Sequence, residues 1–130
     1  MLLQSLYIEL TEGKDRGVFT REAIPANTAI EESPVIVMTE AEKELLDKTL
    51  LHDYIFNWEP GPKKLCCMAT GYVPLYNHSA TANCEHSMNY EDDTIIIKTM
   101  RDINAGEELT INYTGDWNSN DPVWFEVEEE

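Results

Sequence analysis

Two short stretches of the chain carry polar side chains that a hydrophobic core does not require, namely Tyr76-Asn77-His78-Ser79 and Asn83-Cys84-Glu85-His86. Imidazole and thiolate groups are zinc ligands, but the spacings differ from those of common zinc motifs, so we predict no metal. A Cys84 nucleophile with His78 or His86 as its base is a second possibility. The third is that these are buried polar residues whose hydrogen bonds are made by backbone groups.

A glycine-bracketed turn and an alternating segment near the end of the chain are further candidates. In Gly13-Lys14-Asp15-Arg16-Gly17, the glycines would let backbone amides approach a ligand closely, although most such turns are only turns. The segment Glu108-Leu109-Thr110-Ile111-Asn112-Tyr113 ends in a tyrosine. Its hydroxyl could orient an amine or polarise a reacting group, whereas the simpler interpretation is a half-buried aromatic side chain.

Short strands separated by frequent turns must position these residues. Apolar and polar side chains alternate in several segments, which is typical of strands with one buried face. We predict strands over residues 5–10, 18–19, 29–38 with an interruption at Ser33-Pro34, 94–100 and 109–113. The pattern therefore predicts a small β-rich domain.

One helix is indicated in the middle of the chain. Thr39 is a candidate N-cap, and Glu42 three residues later completes a capping box. Apolar residues then follow at helical spacing, and we predict that the helix ends near Leu51. Aromatic side chains at every second position come next, at Tyr54, Phe56 and Trp58.

The composition restricts the possible partners. The chain has 130 residues, about one domain, with 25 acidic and 9 basic side chains and a formal net charge of -16. This excess argues against nucleic acid and anionic membranes as direct ligands, and it favours either a basic partner or simple solubility. No apolar run approaches the roughly 18 residues of a membrane span, and the first residues do not resemble a signal peptide.

The cysteines favour a reducing compartment. There are three, Cys66, Cys67 and Cys84, and an odd number with two adjacent residues is poorly suited to a disulfide framework. At least one of the adjacent pair is predicted to be an ordinary buried thiol. We therefore expect an intracellular protein, cytoplasmic in a prokaryote and nuclear or cytoplasmic in a eukaryote.

Taken together and in this order, the candidate segments resemble the SET-domain family of protein lysine methyltransferases. That family has a glycine-rich turn, a Y-x-F segment, an N-H-S-C-x-P-N motif and a terminal E-L-T-x-D-Y motif. The matching segments here are GKDRGVF, Tyr54-Ile55-Phe56, Asn77 to Asn83 and Glu108 to Tyr113. The lead-in from Ile103 to Glu108 is also similar to the family's I-x-x-G-E-E. The resemblance extends over about residues 5–114.

The resemblance implies a mainly β (β+α) protein with the SET-domain β-clip fold. Such a fold has several small twisted sheets, one short helix in a variable insert, and a C-terminal segment threaded as a pseudoknot. It further implies a single domain over residues 1–130. Its parts would be an N-terminal portion (5–38), the insert (39–70), the C-terminal motifs (71–114) and an aromatic and acidic tail (115–130).

The resemblance also implies S-adenosylmethionine as methyl donor, S-adenosylhomocysteine as product, and a lysine of a basic protein as acceptor. Tyr113 would be the central catalytic tyrosine, assisted by Tyr54, and both would line the lysine channel with Ile111. The residues that would bind the donor are Lys14, Arg16, Gly17, Tyr76, Asn77, His78 and Trp124. A tight apolar channel would suit this chemistry, because it disfavours the charged form of the incoming lysine.

The sequence departs from the family's motifs at several positions. Asp15 occupies the first glycine of G-x-G, Ala80 and Ala82 replace Cys and Pro, and Asn112 replaces Asp. Ile111, two residues before the catalytic tyrosine, has no hydroxyl, so we expect that more than one methyl group can be added.

Two other functions remain open from the sequence. One is a SET-like binding module for basic proteins with weak catalysis, and the other is an acidic protein that only sequesters a basic partner. We predict no direct contact with nucleic acid or membrane, and the sequence does not indicate an oligomeric state.

Overall fold

The computed structural model of the protein describes residues 1–13 and 15–113. Within these ranges, strands dominate, and they form two sheets. The strands are β1 (Leu6–Leu10), β2 (Arg16–Thr20), β3 (Ala29–Met38), β4 (Phe56–Trp58), β5 (Leu65–Ala69), β6 (Asn77–His78), β7 (Cys84–Asn89), β8 (Thr94–Thr99) and β9 (Glu108–Ile111). The helix α1 is Glu40–Leu46, and two short 3-10 helices are Leu50–Asp53 and Val73–Leu75. This architecture confirms the predicted mainly β fold with one short α-helix.

The first sheet has four strands in the order β1-β2-β9-β6. The strands β1 and β2 are antiparallel, and their turn is closed at Thr11, whose amide and hydroxyl both donate to the carbonyl of Asp15 (3.1 and 2.9 Å). The strand β9 pairs antiparallel with β2 and parallel with β6. A parallel pair needs a long connection, which the strands β7 and β8 provide. The C-terminal motif is thereby inserted between the glycine turn and the Asn77-His78 segment.

The second sheet has five strands in the order β4-β5-β3-β8-β7. Its central strand β3 is continuous through Ser33-Pro34, so the predicted interruption is wrong. The reason is a change of partner: residues up to Pro34 pair with β8, and Val35 onward pairs with β5. Pro34 stands at this changeover, where its missing N–H is not required for the ladder, while its carbonyl accepts from the amide of Thr70 (3.1 Å).

The helix α1 begins as predicted and ends early. Thr39 is the N-cap and forms the capping box with Glu42 in both directions. The helix stops at Leu46 rather than near Leu51, because the Thr49 hydroxyl donates to the Leu46 carbonyl and accepts from the amide of Leu51. This second cap begins the first 3-10 helix and competes with continuation of α1. No residue of α1 is buried, so its apolar side chains form no part of the core.

The core lies along the two sheets and the 3-10 helix before β6. Its fully buried side chains include Val18, Ile30, Trp58, Val73, Ile95, Ile97, Leu109 and Ile111. Cys66, Cys67 and Cys84 are free thiols without solvent exposure, which confirms the predicted buried thiol. Among the helices that the structure describes, none combines the length and apolar character needed to cross a membrane.

Candidate active site

The strand β9 brings the three polar clusters of the sequence to one place. The Asn77 amide on β6 donates to the Glu108 carboxylate on β9 (2.8 Å). A Cβ added at Gly17 on β2 would lie 2.6 Å from that carboxylate oxygen and 3.0 Å from the Asn77 amide nitrogen. A side chain at residue 17 would force the Asn77 and Glu108 side chains to shift, and with glycine the backbone of residue 17 lies directly against the Asn77–Glu108 pair.

Tyr113 follows β9, and its position is fixed by contacts with Tyr76 and His78. Its backbone amide donates to Nδ1 of His78 (3.0 Å), and the two rings meet edge to face with centroids 5.2 Å apart. Its hydroxyl donates a very short hydrogen bond to the backbone carbonyl of Tyr76. Because this bond uses the hydroxyl proton, the oxygen of Tyr113 can act as an acceptor for another group.

The electrostatics of the site keep Tyr113 neutral. Burial raises the pKa of its phenol, and the neighbouring Tyr54, Glu108 and Asp53 raise that pKa further. A phenol in these surroundings does not ionise at physiological pH, so it acts through hydrogen bonding rather than as a charged base. Tyr54 directly follows the first 3-10 helix, and it is one of the groups that raise the pKa of Tyr113.

The other predicted site residues have different surroundings. Tyr76 has no exposed surface, and its hydroxyl donates to the buried Glu31 (2.8 Å), so its side chain is not available to a ligand. Ile111 is also fully buried, and its carbonyl accepts from the amide of Ser79 (3.0 Å). Arg16 is exposed at the start of β2. The expectations for Lys14 and Trp124 lie outside the described residues.

Two polar residues at the site received no role from the sequence. The side-chain oxygen of Asn83 accepts from the amide of Thr110, and its nitrogen donates to the carbonyl of Glu108 (both 2.8 Å), so Asn83 ties the start of β7 to β9. Glu31 is a buried carboxylate beneath Tyr76. The available signal for Glu31 was a carboxylate two residues before Ser33 in a predicted strand, a spacing that puts both on one face.

The alternative chemistries of the polar clusters find little support. Among the described residues, no group of three or more His, Cys, Asp or Glu side chains is arranged to hold a metal ion. Burial raises the pKa of Cys84 to about 12, and it lowers the pKa of His86 to about 4. A buried protonated thiol is a poor nucleophile, which argues against the Cys84 hypothesis.

Comparisons with known proteins bear on the same segments. A family model described as the SET domain matches residues 15–114. A Schizosaccharomyces pombe protein named histone-lysine N-methyltransferase, H3 lysine-37 specific, is 37% identical over 124 residues, which cover 95% of this chain and 78% of that protein. A solved structure of a Plasmodium falciparum protein assigned as a histone methyltransferase aligns with a TM-score of 0.65 at 24% identity, over 89% of this chain and 98% of the other. The family match includes the strands that carry Gly17, Asn77 and Glu108.

Proposed function

The chain belongs to the SET-domain family and is a protein-lysine methyltransferase, and we propose that it moves a methyl group from S-adenosylmethionine to the side-chain amine of a lysine in a basic protein. The observation that carries the proposal is the position of Tyr113. Its neutral hydroxyl is held by the Tyr76 carbonyl, next to the segment that meets the glycine turn. Tyr113 would be the catalytic tyrosine, with Tyr54 beside it.

The residues around Gly17 fit the donor. A Cβ at residue 17 would crowd the Asn77–Glu108 pair, so glycine lets the backbone of the turn lie directly against the Asn77 side chain that would hold the donor. Asn77 and the backbone of His78 would hold the amino-acid portion of the donor, and the backbone of Arg16 and Gly17 would contact the rest. When bound, S-adenosylmethionine supplies an electrophilic methyl group on a sulfonium, and S-adenosylhomocysteine is the product.

The chain's own residues would orient the lysine and keep its amine neutral. A free lysine has a pKa of about 10.4, and a narrow channel lined by Tyr54 and Tyr113 would lower it by disfavouring the ammonium form. The oxygen of Tyr113 would accept a hydrogen bond from the amine without providing a counter-charge. Since the transfer is an in-line displacement, holding the nitrogen in place supplies much of the rate. Solvent would take the departing proton.

A basic protein suits the surface of the enzyme. The net charge of -16 would attract Lys/Arg-rich segments and speed their encounter. The Schizosaccharomyces pombe relative is named for a histone lysine, so we propose a histone-like or other Lys-rich substrate. This would place the enzyme inside the cell, in the nucleus or the cytoplasm.

The test is transfer of labelled methyl groups from S-adenosylmethionine to a mixture of basic proteins, with donor binding followed by calorimetry. We expect Tyr113→Phe to lower kcat by about 100-fold or more while donor binding persists, because the substitution removes one oriented hydroxyl from the site. Tyr7→Phe is the matched control, since Tyr7 stacks on Phe19 and lies in the edge strand β1, which β2 separates from β9. A wild-type protein that neither transfers methyl groups nor binds the donor would instead be a SET-like binding module.

The number of methyl groups provides a second measurement. Ile111 offers no hydroxyl that could hold a water or a methylamine in one orientation. We therefore expect dimethyl-lysine or trimethyl-lysine among the products when the reaction is followed by mass spectrometry. A product that stops at monomethyl-lysine under excess donor would contradict this expectation.

A further inference from the structure

A fully buried carboxylate lies beneath the site without a basic partner among its described contacts. Glu31 on β3 has no exposed surface. One of its oxygens accepts from the hydroxyl of Ser33 (2.6 Å) and from the amide of Tyr72 (2.8 Å), and the other accepts from the hydroxyl of Tyr76 (2.8 Å). Burial of a carboxylate costs several kcal/mol unless such donors compensate, and an apolar side chain of similar volume would stabilise a core at least as well.

The chain near Glu31 is shaped around this carboxylate. Gly71 has a φ of +66°, and a Cβ there would lie 2.3 Å from a Glu31 oxygen and 2.5 Å from the Ser33 hydroxyl. Glycine therefore gives both the left-handed backbone and the space that bring the amide of Tyr72 onto the carboxylate. Three donors and a glycine are committed to holding Glu31 in one position.

Tyr76 links Glu31 to the catalytic tyrosine. Its side-chain hydroxyl donates to Glu31, and its backbone carbonyl accepts from the hydroxyl of Tyr113. The Tyr76 ring is completely buried, so a change at its hydroxyl end is transmitted to its backbone rather than absorbed by solvent. Tyr76 also directly precedes Asn77, which meets the glycine turn.

We propose that Glu31 is a positioning residue for methyl transfer. Its carboxylate fixes Tyr76, and the carbonyl of Tyr76 then fixes the direction in which the Tyr113 hydroxyl donates, so that the oxygen's acceptor side is presented to the lysine amine. The inference rests on the proposed role of Tyr113. Displacements of less than an ångström at such a group are sufficient to reduce the rate of an aligned transfer.

The first test compares kcat with KM in three variants. Tyr76→Phe removes only the hydroxyl that reaches Glu31, and Glu31→Gln keeps the volume but removes the charge. We expect each to lower kcat about fivefold to tenfold, the worth of one oriented hydrogen bond, while KM for the substrate and Kd for the donor change by less than about twofold. Glu32→Gln is the matched control on the same strand, because Glu32 accepts from Thr94 instead (2.7 Å); its kcat should not change.

The second test detects Tyr113 directly. In protein labelled with 13C at the tyrosine Cζ, the Tyr113 signal is assigned by its loss in Tyr113→Phe. We expect this signal to shift in Tyr76→Phe and Glu31→Gln and to stay in place in Glu32→Gln. If Glu31→Gln does not fold, Tyr76→Phe carries the test, since it retains the buried ring.

The outcomes separate this inference from the proposed function. A Tyr113 signal that stays in place in folded, active variants overturns the link to Glu31 and leaves the methyltransferase proposal intact. A shifted signal together with an unchanged kcat also overturns the positioning role. A wild-type protein that transfers no methyl group overturns the proposed function itself.

Discussion

Two regions of the molecule are held together in opposite ways. The first, which we call the clamp, consists of β6, β9 and Asn83; its hydrogen bonds join residues 24 or more positions apart, such as Asn83 with Glu107, Glu108 and Thr110. The second is the insert, residues 39–70, where the helical part is held by neighbours, as in the capping box of Thr39 and Glu42. The clamp is mostly buried, whereas α1 buries no residue.

The difference indicates that the clamp and the insert have separate roles. The clamp fixes Tyr113 and Asn77 through long-range contacts, so its geometry depends on the whole fold. The helical part of the insert depends little on the core, and its surface can change without disturbing the clamp. The insert contains Tyr54, which we propose lines the lysine channel, and the following variants test the comparison.

The largest effect is expected in the clamp. Asn83→Ala removes the side chain that bonds the amide of Thr110 and the carbonyl of Glu108, and it leaves both groups buried without that partner. We expect a loss of about 3 kcal/mol in the free energy of unfolding, measured by urea titration. Asn89→Ala is the control, because the Asn89 side chain serves only the exposed turn after β7 and should cost less than about 1 kcal/mol. Equal losses of stability in Asn83→Ala and Asn89→Ala would show that the long-range hydrogen bonds of the clamp stabilise the fold no more than those of an exposed turn.

The next effect concerns the contact between β4 of the insert and β7. The His86 ring lies 5.3 Å from the Phe56 ring, and burial lowers the pKa of His86 to about 4. Below its ordinary pKa the unfolded chain binds a proton that the folded chain does not. Stability should therefore fall as the pH is lowered from about 6.5 to about 4, by about 2 kcal/mol after allowing for partial exposure.

The measurement is urea unfolding at several pH values in wild type and in His86→Gln. We expect the variant to lose the part of the pH dependence that lies between pH 6.5 and 4. A variant with the same slope as the wild type would show that His86 has the same pKa in the folded and unfolded chain.

A smaller effect is expected from the helix cap. Thr39→Ala removes the capping box, which should cost about 1 kcal/mol of stability in thermal unfolding. Since α1 buries nothing, kcat should stay within about twofold of the wild type. Ser87→Ala, at an exposed position in β7, is the control for loss of a hydroxyl. A tenfold fall in kcat would contradict the independence of insert and clamp.

The smallest effect is expected for substrate affinity. Asp53 is exposed, lies in the insert beside Tyr54, and is close enough to raise the pKa of Tyr113. Asp53→Asn should raise KM for a basic peptide about threefold at low salt, and added salt should reduce the difference from wild type. Glu91→Gln, in the turn between β7 and β8, changes the net charge equally and should leave KM unchanged. Equal changes in both variants would indicate a general charge effect.

Local sequence signals predicted the start of the helix, but the prediction failed at a second local cap and where distant segments compete. Thr39 and Glu42 predicted the start of α1, because a capping box involves only four residues. Its end was wrong by about five residues, since the second cap at Thr49 was not recognised. The uninterrupted β3 was missed because the change of partner at Pro34 depends on β5 and β8, which lie far along the chain.

The same distinction applies to the candidate site. The motifs predicted that Gly17, Asn77 and Tyr113 act together, and the structure brings their segments into contact through β9. The motifs gave no role to Glu31. Its importance depends on a contact with Tyr76 across 45 positions of sequence, for which no spacing rule exists.

The sequence by itself determined the kind of elements, the start of the helix, the acidic surface and the family, because each depends on residue type, short-range spacing or the order of motifs. The tertiary structure alone decided which strands pair and that Glu31 lies beneath Tyr76. It also decided that the Tyr113 hydroxyl donates to the Tyr76 carbonyl. The physical reason is that the free energy of a buried hydrogen bond depends on where both partners end up, and for these pairs that position is set by sheet pairing between distant strands.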